Sequence, residues 1–294
     1  MLFLWFDRLV CLQFQVPLDI IFIMKKTLIL TAIIGLLVVA TYIYFEQVGR
    51  LNPTVNETFI SSSRIPAPFE GVRVVQLSDL LIRSESCVIL LENTVNAVNQ
   101  LDPNLVVFTG NLFLPEGLIF EQEVSDLLGS IEANLARVVV FGNHDVINEP
   151  HFERVQAVFE SAGFIDLTQS SVEIFNQAYE GINLIGGAPG LDRDDLDRLL
   201  TNEFHDERFN LLLLNDPTFA SISIQHGIDL QLSGLCLGSQ DPTSERSPCF
   251  QFYHGFYQFT DEITLHVSAG LARFHNLSGF RRQPAIDSFL LIRE

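Results

Sequence analysis

Five short segments hold side chains whose types and spacing could do chemistry together. They are Ser78-Asp79-Leu80-Leu81, Gly110-Asn111, Gly142-Asn143-His144-Asp145, Asn215-Asp216-Pro217 and Ser233-Gly234-Leu235-Cys236-Leu237-Gly238. Carboxylate, amide and imidazole groups gathered in one place are the material of a divalent-metal site or of proton transfer. Taken singly, each segment has a plainer explanation. Asp79 alone reads as a residue that ends a strand or caps a helix. Asn143-His144-Asp145 reads as a tight turn, a place that Asn and Asp favour. Leu81, Leu235 and Leu237 offer no lone pair to any ligand.

The elements around these segments predict where they sit. VRVVQLS (72–78), NLVVFTG (104–110) and ARVVVFGN (136–143) are short apolar runs rich in β-branched residues, as buried strands are. Between them Val88, Leu91, Val95, Val98 and Leu101 recur at steps of three and four, a helix with one buried face. Val124, Leu127, Leu128, Ile131 and Leu135 mark a second helix. Such alternation implies a mainly parallel sheet with helices packed on it. Strand-like runs at 182–187, 209–214, 228–234, 263–270 and 288–294 fill a second sheet stacked on the first. In open α/β sheets, ligands bind beyond the carboxyl ends of strands. The polar segments follow those ends.

In order and spacing, the segments resemble the calcineurin-like metallophosphoesterases, particularly their membrane-associated bacterial branch. That family shows Asp-x-His, Gly-Asp, Gly-Asn-His-Asp/Glu, a single His and Gly-His-x-His after successive strands. The resemblance covers about residues 70 to 294 and implies a four-layer sandwich: two stacked mixed β-sheets flanked by helices. It also implies two divalent metals (Mn, Fe or Zn) that bind phosphate, activate a bridging water and stabilise the leaving group.

Carried over residue by residue, the ligand set is depleted. Asp79 stands at the first carboxylate and Asn143 at the amide ligand. Asn111 replaces the bridging Asp and Asn215 the single His, both weaker ligands. Leu81, Leu235 and Leu237 fill the remaining histidine positions. His144 matches the histidine that contacts phosphate or protonates the leaving group, here a vestigial catalytic residue. One carboxylate cannot balance two dications, and amide oxygens are poor substitutes for imidazole and carboxylate. The expectation is that no cofactor binds tightly and that the leucines pack together in the former metal cavity. His151, His205, His226, His254, His266 and His275 match no ligand position and are expected on the surface or satisfied in the core.

Composition sets the remaining limits. The formal net charge of -19 excludes a nucleic-acid partner, since both surfaces would repel. Residues 27–45, TLILTAIIGLLVVATYIYF, carry no charge and would span about 28 Å as a helix. Lys25 and Lys26 precede this run, which orients the N-terminus inward and exports the rest. The organisation expected is an N-terminal extension at 1–23 (a misplaced start is one explanation), a single-pass signal anchor at 24–46, a stalk at 47–67 and the folded domain at 68–294. A cleaved signal peptide is the alternative to the anchor. Cys236 and Cys249 are either buried free thiols or, in an oxidising compartment, a disulfide.

Two functions follow from these residues. The first is a membrane-anchored, catalytically impaired phosphoesterase-fold protein that binds or scaffolds. The second is a hydrolase with one metal held by Asp79, Asn143, Asn111 and Asn215, acting on phosphate esters, with lipid-linked ones as the family's analogy.

Overall fold

Short apolar runs rich in β-branched residues are best satisfied where both faces of a strand are covered. The computed structural model, which describes residues 18–176, 180–238, 247–260, 263–272 and 283–294, places them so. Strands β1 (Thr54–Ser62), β2 (Arg73–Leu77), β3 (Leu105–Phe108), β4 (Ala136–Val139) and β5 (Ile165–Asp166) join β12 (Ala285–Arg293) in one sheet of order β1-β12-β2-β3-β4-β5. Strands β6 (Ser170–Phe175), β7 (Gly181–Gly186), β8 (Asn210–Leu213), β9 (Leu230–Ser233), β10 (Gly255–Gln258) and β11 (Thr264–Val267) form the other, of order β10-β11-β9-β8-β7-β6. Both sheets are mixed: β2 to β5 run parallel with β12 antiparallel beside them, and β7, β8, β9 and β11 run parallel between antiparallel β6 and β10.

Strand parity separates the layers. Val74, Val107, Val138 and Phe289 of the first sheet meet Leu184, Leu211 and Leu232 of the second in a central core. The alternate residues Val75, Val106 and Val139 face outward. There they meet helices α2 (Glu85–Gln100), α3 (Glu121–Gly129) and α4 (Glu149–Ser161) through Leu91, Val95, Val124, Leu128, Val155 and Phe159. On the far side Ile185 and Leu212 pack on α5 (Arg193–Glu203) and α6 (Ala220–His226) through Leu196, Leu200 and Ile222. The result is the four-layer sandwich of two mixed sheets flanked by helices that the sequence predicts.

A separate unit, divided from the rest near Gly49, holds the long helix α1 (Leu18–Leu51). Its Asp19–Tyr42 stretch is long and apolar enough to cross a membrane. The expectation for residues 1–23 falls mainly outside the described residues; Leu18 to Ile23 belong to α1. The stalk expected at 47–67 needs correction. The helix continues to Leu51, and Thr54–Ser62 is a sheet strand in parallel register with β12, Thr54 opposite Ala285. Pro53, Asn56 and the serines give this stretch a loop composition. Val55, Thr58, Phe59 and Ile60 supply the β-branched and aromatic side chains that a pleated surface accepts.

Candidate functional site

Where β2, β3, β4, β8 and β9 end, their turns converge. The turn after β2 is laid against the turn after β3 by Asp79 N–H to Gly110 O (2.9 Å) and Leu81 N–H to Asn111 O (3.0 Å). A third segment joins through Leu271 N–H to Ser78 O (2.9 Å) and Ala272 N–H to Asp79 O (2.7 Å). Glycine is required for this approach. A Cβ on Gly142 would sit 2.3 Å from Asn111 Oδ1, and one on Gly234 only 2.0 Å from Ser78 Oγ.

Asp79 lies at the centre, wholly shielded from solvent at 0% exposure. Its carboxylate accepts from Asn111 Nδ2 (2.7 Å) on one oxygen, and from Ser78 Oγ (2.7 Å) and Leu235 N–H (2.9 Å) on the other. Burial pushes its pKa up to about 6, against the lowering effect of Asn111, Ser78 and Leu235. Asn111 turns its amide nitrogen to Asp79 because only that end can donate, and its Oδ1 accepts His144 N–H (2.9 Å). Asn215 offers its oxygen to Asn111 Nδ2 at 3.4 Å and donates through Nδ2 to Thr109 O at 2.6 Å.

Sequence reasoning gave Asp145 only a place in a turn. The structure shows more. Its carboxylate is fully buried and collects Asn111 N–H (2.6 Å), Leu112 N–H (2.8 Å) and Gly142 N–H (2.8 Å), joining the turns after β3 and β4. Burial raises its pKa to about 6; those three amides oppose the rise and the nearby Asp79 charge adds to it. Ser78 was likewise read only as part of the motif. A buried hydroxyl beside a buried acid is the signal that points to both.

The remaining site residues are arranged differently. Asn143 and His144 are exposed at the turn surface, and His144 reaches the centre through its backbone. Leu81 is buried at 2% exposure. Leu235 packs with Ala220, Cys236, Leu265 and Val267. Leu237 Cδ2 and Asp79 Cβ lie equally close to Gly270, each 3.0 Å from where its Cβ would stand. Cys236 and Cys249 form a disulfide across a separation of 13 residues, so the free-thiol alternative does not hold. A backbone signature runs through the same positions: Asp79, Leu81, Asn111, Leu235 and Leu237 all have positive φ, between 48° and 76°. Asn and Asp visit that region readily, and leucine pays for it.

A second buried network ties the sheets together below the turns. His266 Nδ1 meets Gln76 Oε1 (3.0 Å), while Gln76 Nε2 donates to Thr109 Oγ1 and Ser233 O, both at 2.9 Å. His266 Nε2 lies 3.8 Å from Asp287, and burial holds this histidine's pKa below its ordinary value. It is a satisfied core histidine, as expected. His205 and His226 lie beside Glu173 and Asp197; His275 falls outside the described residues.

The donor set does not fit a pair of dications. Both oxygens of Asp79 face protein donors, Asn111 presents an N–H where a bridging anion would be needed, and Asn215 spends its amide hydrogen on a carbonyl. Among the described residues no group of three or more His, Cys, Asp or Glu side chains is placed to hold a metal.

Converging strand-end turns on a four-layer sandwich define a phosphoesterase-type α/β protein. The calcineurin-like phosphoesterase family model matches residues 72–234, and the chain belongs to that family. It is 27% identical over 260 residues to the uncharacterized metallophosphoesterase YkuE of Bacillus subtilis, covering 82% of this chain and 87% of that one. It is 30% identical over 123 residues to the UDP-2,3-diacylglucosamine pyrophosphatase LpxG of Chlamydia muridarum, covering 41% of this chain and 36% of that protein. Among solved structures, a dimetal phosphatase from Danio rerio is similar at a TM-score of 0.44 and 12% identity, covering 69% of this chain and 88% of that one.

Proposed function

We propose that this chain is a membrane-anchored calcineurin-like phosphoesterase-fold protein that binds or scaffolds without hydrolysing phosphate esters. The observation that carries the reading is the state of Asp79. The one carboxylate left at a ligand position has no exposure and accepts three hydrogen bonds from the protein itself. A hydrolytic dimetal centre needs anionic ligands with lone pairs turned to the ions and an open position for water. Leu81, Leu235 and Leu237 supply neither.

The anchor reading rests on α1, whose Asp19–Tyr42 stretch has the length and hydropathy of a span. Lys25 and Lys26 at its N-terminal side orient the helix with the folded domain outside the cytoplasmic membrane. The Cys236–Cys249 disulfide is in keeping with that oxidising side. In this reading residues 24–46 anchor the chain as part of the helix Leu18–Leu51, and the domain expected at 68–294 takes in the strand Thr54–Ser62 that precedes it. The likeness to LpxG supports a lipid-bearing diphosphate as the class of ligand from which the fold descends.

The test is hydrolysis of bis-p-nitrophenyl phosphate with added manganese, by wild type, Asp79→Ala and His144→Ala. No turnover above background in all three is expected. Manganese-dependent turnover abolished by both substitutions would establish the single-metal hydrolase with Asp79, Asn143, Asn111 and Asn215 instead.

A further inference from the structure

We infer that Asn111 has taken over the structural work of the metal pair: its amide, in place of cations, holds the strand-end turns together. The inference rests on the non-hydrolytic reading and says what replaced the metals.

A bridging carboxylate between two dications gathers surrounding turns because each ion pulls several ligands inward. Without cations, an Asp at position 111 would face the Asp79 carboxylate at hydrogen-bond distance, and both would be buried. Two like charges so placed cannot both ionise without a large penalty. Asn is the nearest isostere that converts this repulsion into attraction, because its Nδ2 donates where an Asp oxygen could only accept.

The contacts made by Asn111 go further than that one bond. Its side-chain nitrogen reaches Asp79 at 2.7 Å after β2 and Asn215 at 3.4 Å after β8. Its side-chain oxygen accepts His144 N–H at 2.9 Å after β4. Its backbone N–H donates to Asp145 at 2.6 Å, and its carbonyl accepts Leu81 N–H at 3.0 Å. Every polar group of the residue is engaged, and the partners come from turns of both sheets. Its φ of 65° is one that Asn adopts at little cost, unlike an apolar replacement. The side chain is 1% exposed, so no water substitutes for a lost partner.

The experiment uses the full-length chain in lipid nanodiscs, with EDTA or with millimolar manganese. Thermal unfolding is measured for wild type, Asn111→Ala and Asn111→Asp. In EDTA the Ala variant should melt about 5 °C and the Asp variant about 10 °C below wild type, since Ala loses the side-chain bonds and Asn's tolerance of this backbone, and Asp adds a buried charge. Manganese should leave wild type and the Ala variant unmoved. An Asp variant as stable as wild type in EDTA would overturn the inference, as would an Ala variant of unchanged melting temperature. Either can occur with hydrolysis still absent, which separates this failure from failure of the functional reading.

If the variants do not accumulate folded, hydrogen exchange on wild type decides. Peptides spanning 78–82, 109–113 and 142–146 should be protected in EDTA to the same degree as with manganese. Protection that appears only with manganese would show that cations, not Asn111, close the centre.

Discussion

The two sides of the strand-end centre share a backbone and differ in what they put on it. On the first-sheet side, Asp79 and Asn111 have φ of 52° and 65°; on the second-sheet side, Leu235 and Leu237 have 76° and 49°. Asp and Asn are among the few residues that accept left-handed backbone readily, and their polar ends are all hydrogen-bonded here. Leucine takes the same conformation at a cost of roughly 1–2 kcal/mol and contributes only packing. The difference teaches that one left-handed backbone geometry can carry either hydrogen-bonded polar residues or aliphatic ones. On the first-sheet side Asp79 and Asn111 form a hydrogen-bonded lock beside Leu81, whose φ is 48°. On the second-sheet side Asn215 joins that lock, while Leu235 and Leu237 put aliphatic side chains on strained backbone beside the Cys236–Cys249 disulfide.

The largest effect that would break this contrast comes from the locked side. Asp145→Ala strands three buried N–H groups, those of Asn111, Leu112 and Gly142, at a cost of roughly 3–5 kcal/mol. The melting temperature should fall by about 10 °C. A fall of only a degree or two would mean that the first-sheet turns do not depend on this carboxylate.

Next comes the pH dependence of Asp79. A carboxyl whose pKa rises from 3.8 to about 6 on folding stabilises fully below pH 3.8, where it is protonated in both states. That contribution, up to ~3 kcal/mol, is lost as pH rises through 6. The stability difference between wild type and Asp79→Ala, read from urea unfolding, should therefore widen as pH falls from 7 to 4. A difference that narrows would mean the acid is stabilised as an anion instead.

On the leucine side, replacing Cys236 and Cys249 together by serine should cost roughly 2–3 kcal/mol, the entropy of a loop closed over 13 residues. Reduction of the wild-type protein should reproduce the loss; a melting curve unchanged by reductant would remove the tether from the account. The smallest effect sharpens the strain argument by its sign. At ordinary positions Gly is less stable than Ala by 0.5–1 kcal/mol. At Leu237 the order should reverse, with Leu237→Gly about 1 kcal/mol more stable than Leu237→Ala. Ala above Gly in chemical denaturation would show that the backbone there is not strained.

Much of the fold could be read from sequence because the central strands are buried on both faces and so appear as mostly apolar, β-branched runs, unbroken at Leu105–Phe108 and interrupted only by Arg73 and Gln76 at Val72–Leu77. Edge strands escaped. Strand β1 is exposed over its first four residues and alternates exposed with half-buried only from Thr58 to Ser61, and its Asn and Ser residues after Pro53 give it the composition of a loop. Strands β6 and β10 lie at sheet edges too, with exposed positions breaking their pattern. At the site, spacing located Asp79, Asn111, Asn143 and the leucine positions, because each follows a strand. What spacing does not carry is direction. That Asn111 donates to Asp79, that Asn143 faces solvent and that Asp145 gathers amides from two turns all depend on how the turns meet in space. The disulfide was open for the same reason: nothing local brings Cys249 back to Cys236.

The most direct test of the central claim, that protein hydrogen bonds and not ions close this centre, is calorimetric titration of the metal-stripped, full-length protein with manganese. The account requires no binding at micromolar protein concentration. Two equivalents taken up with submicromolar affinity would contradict it.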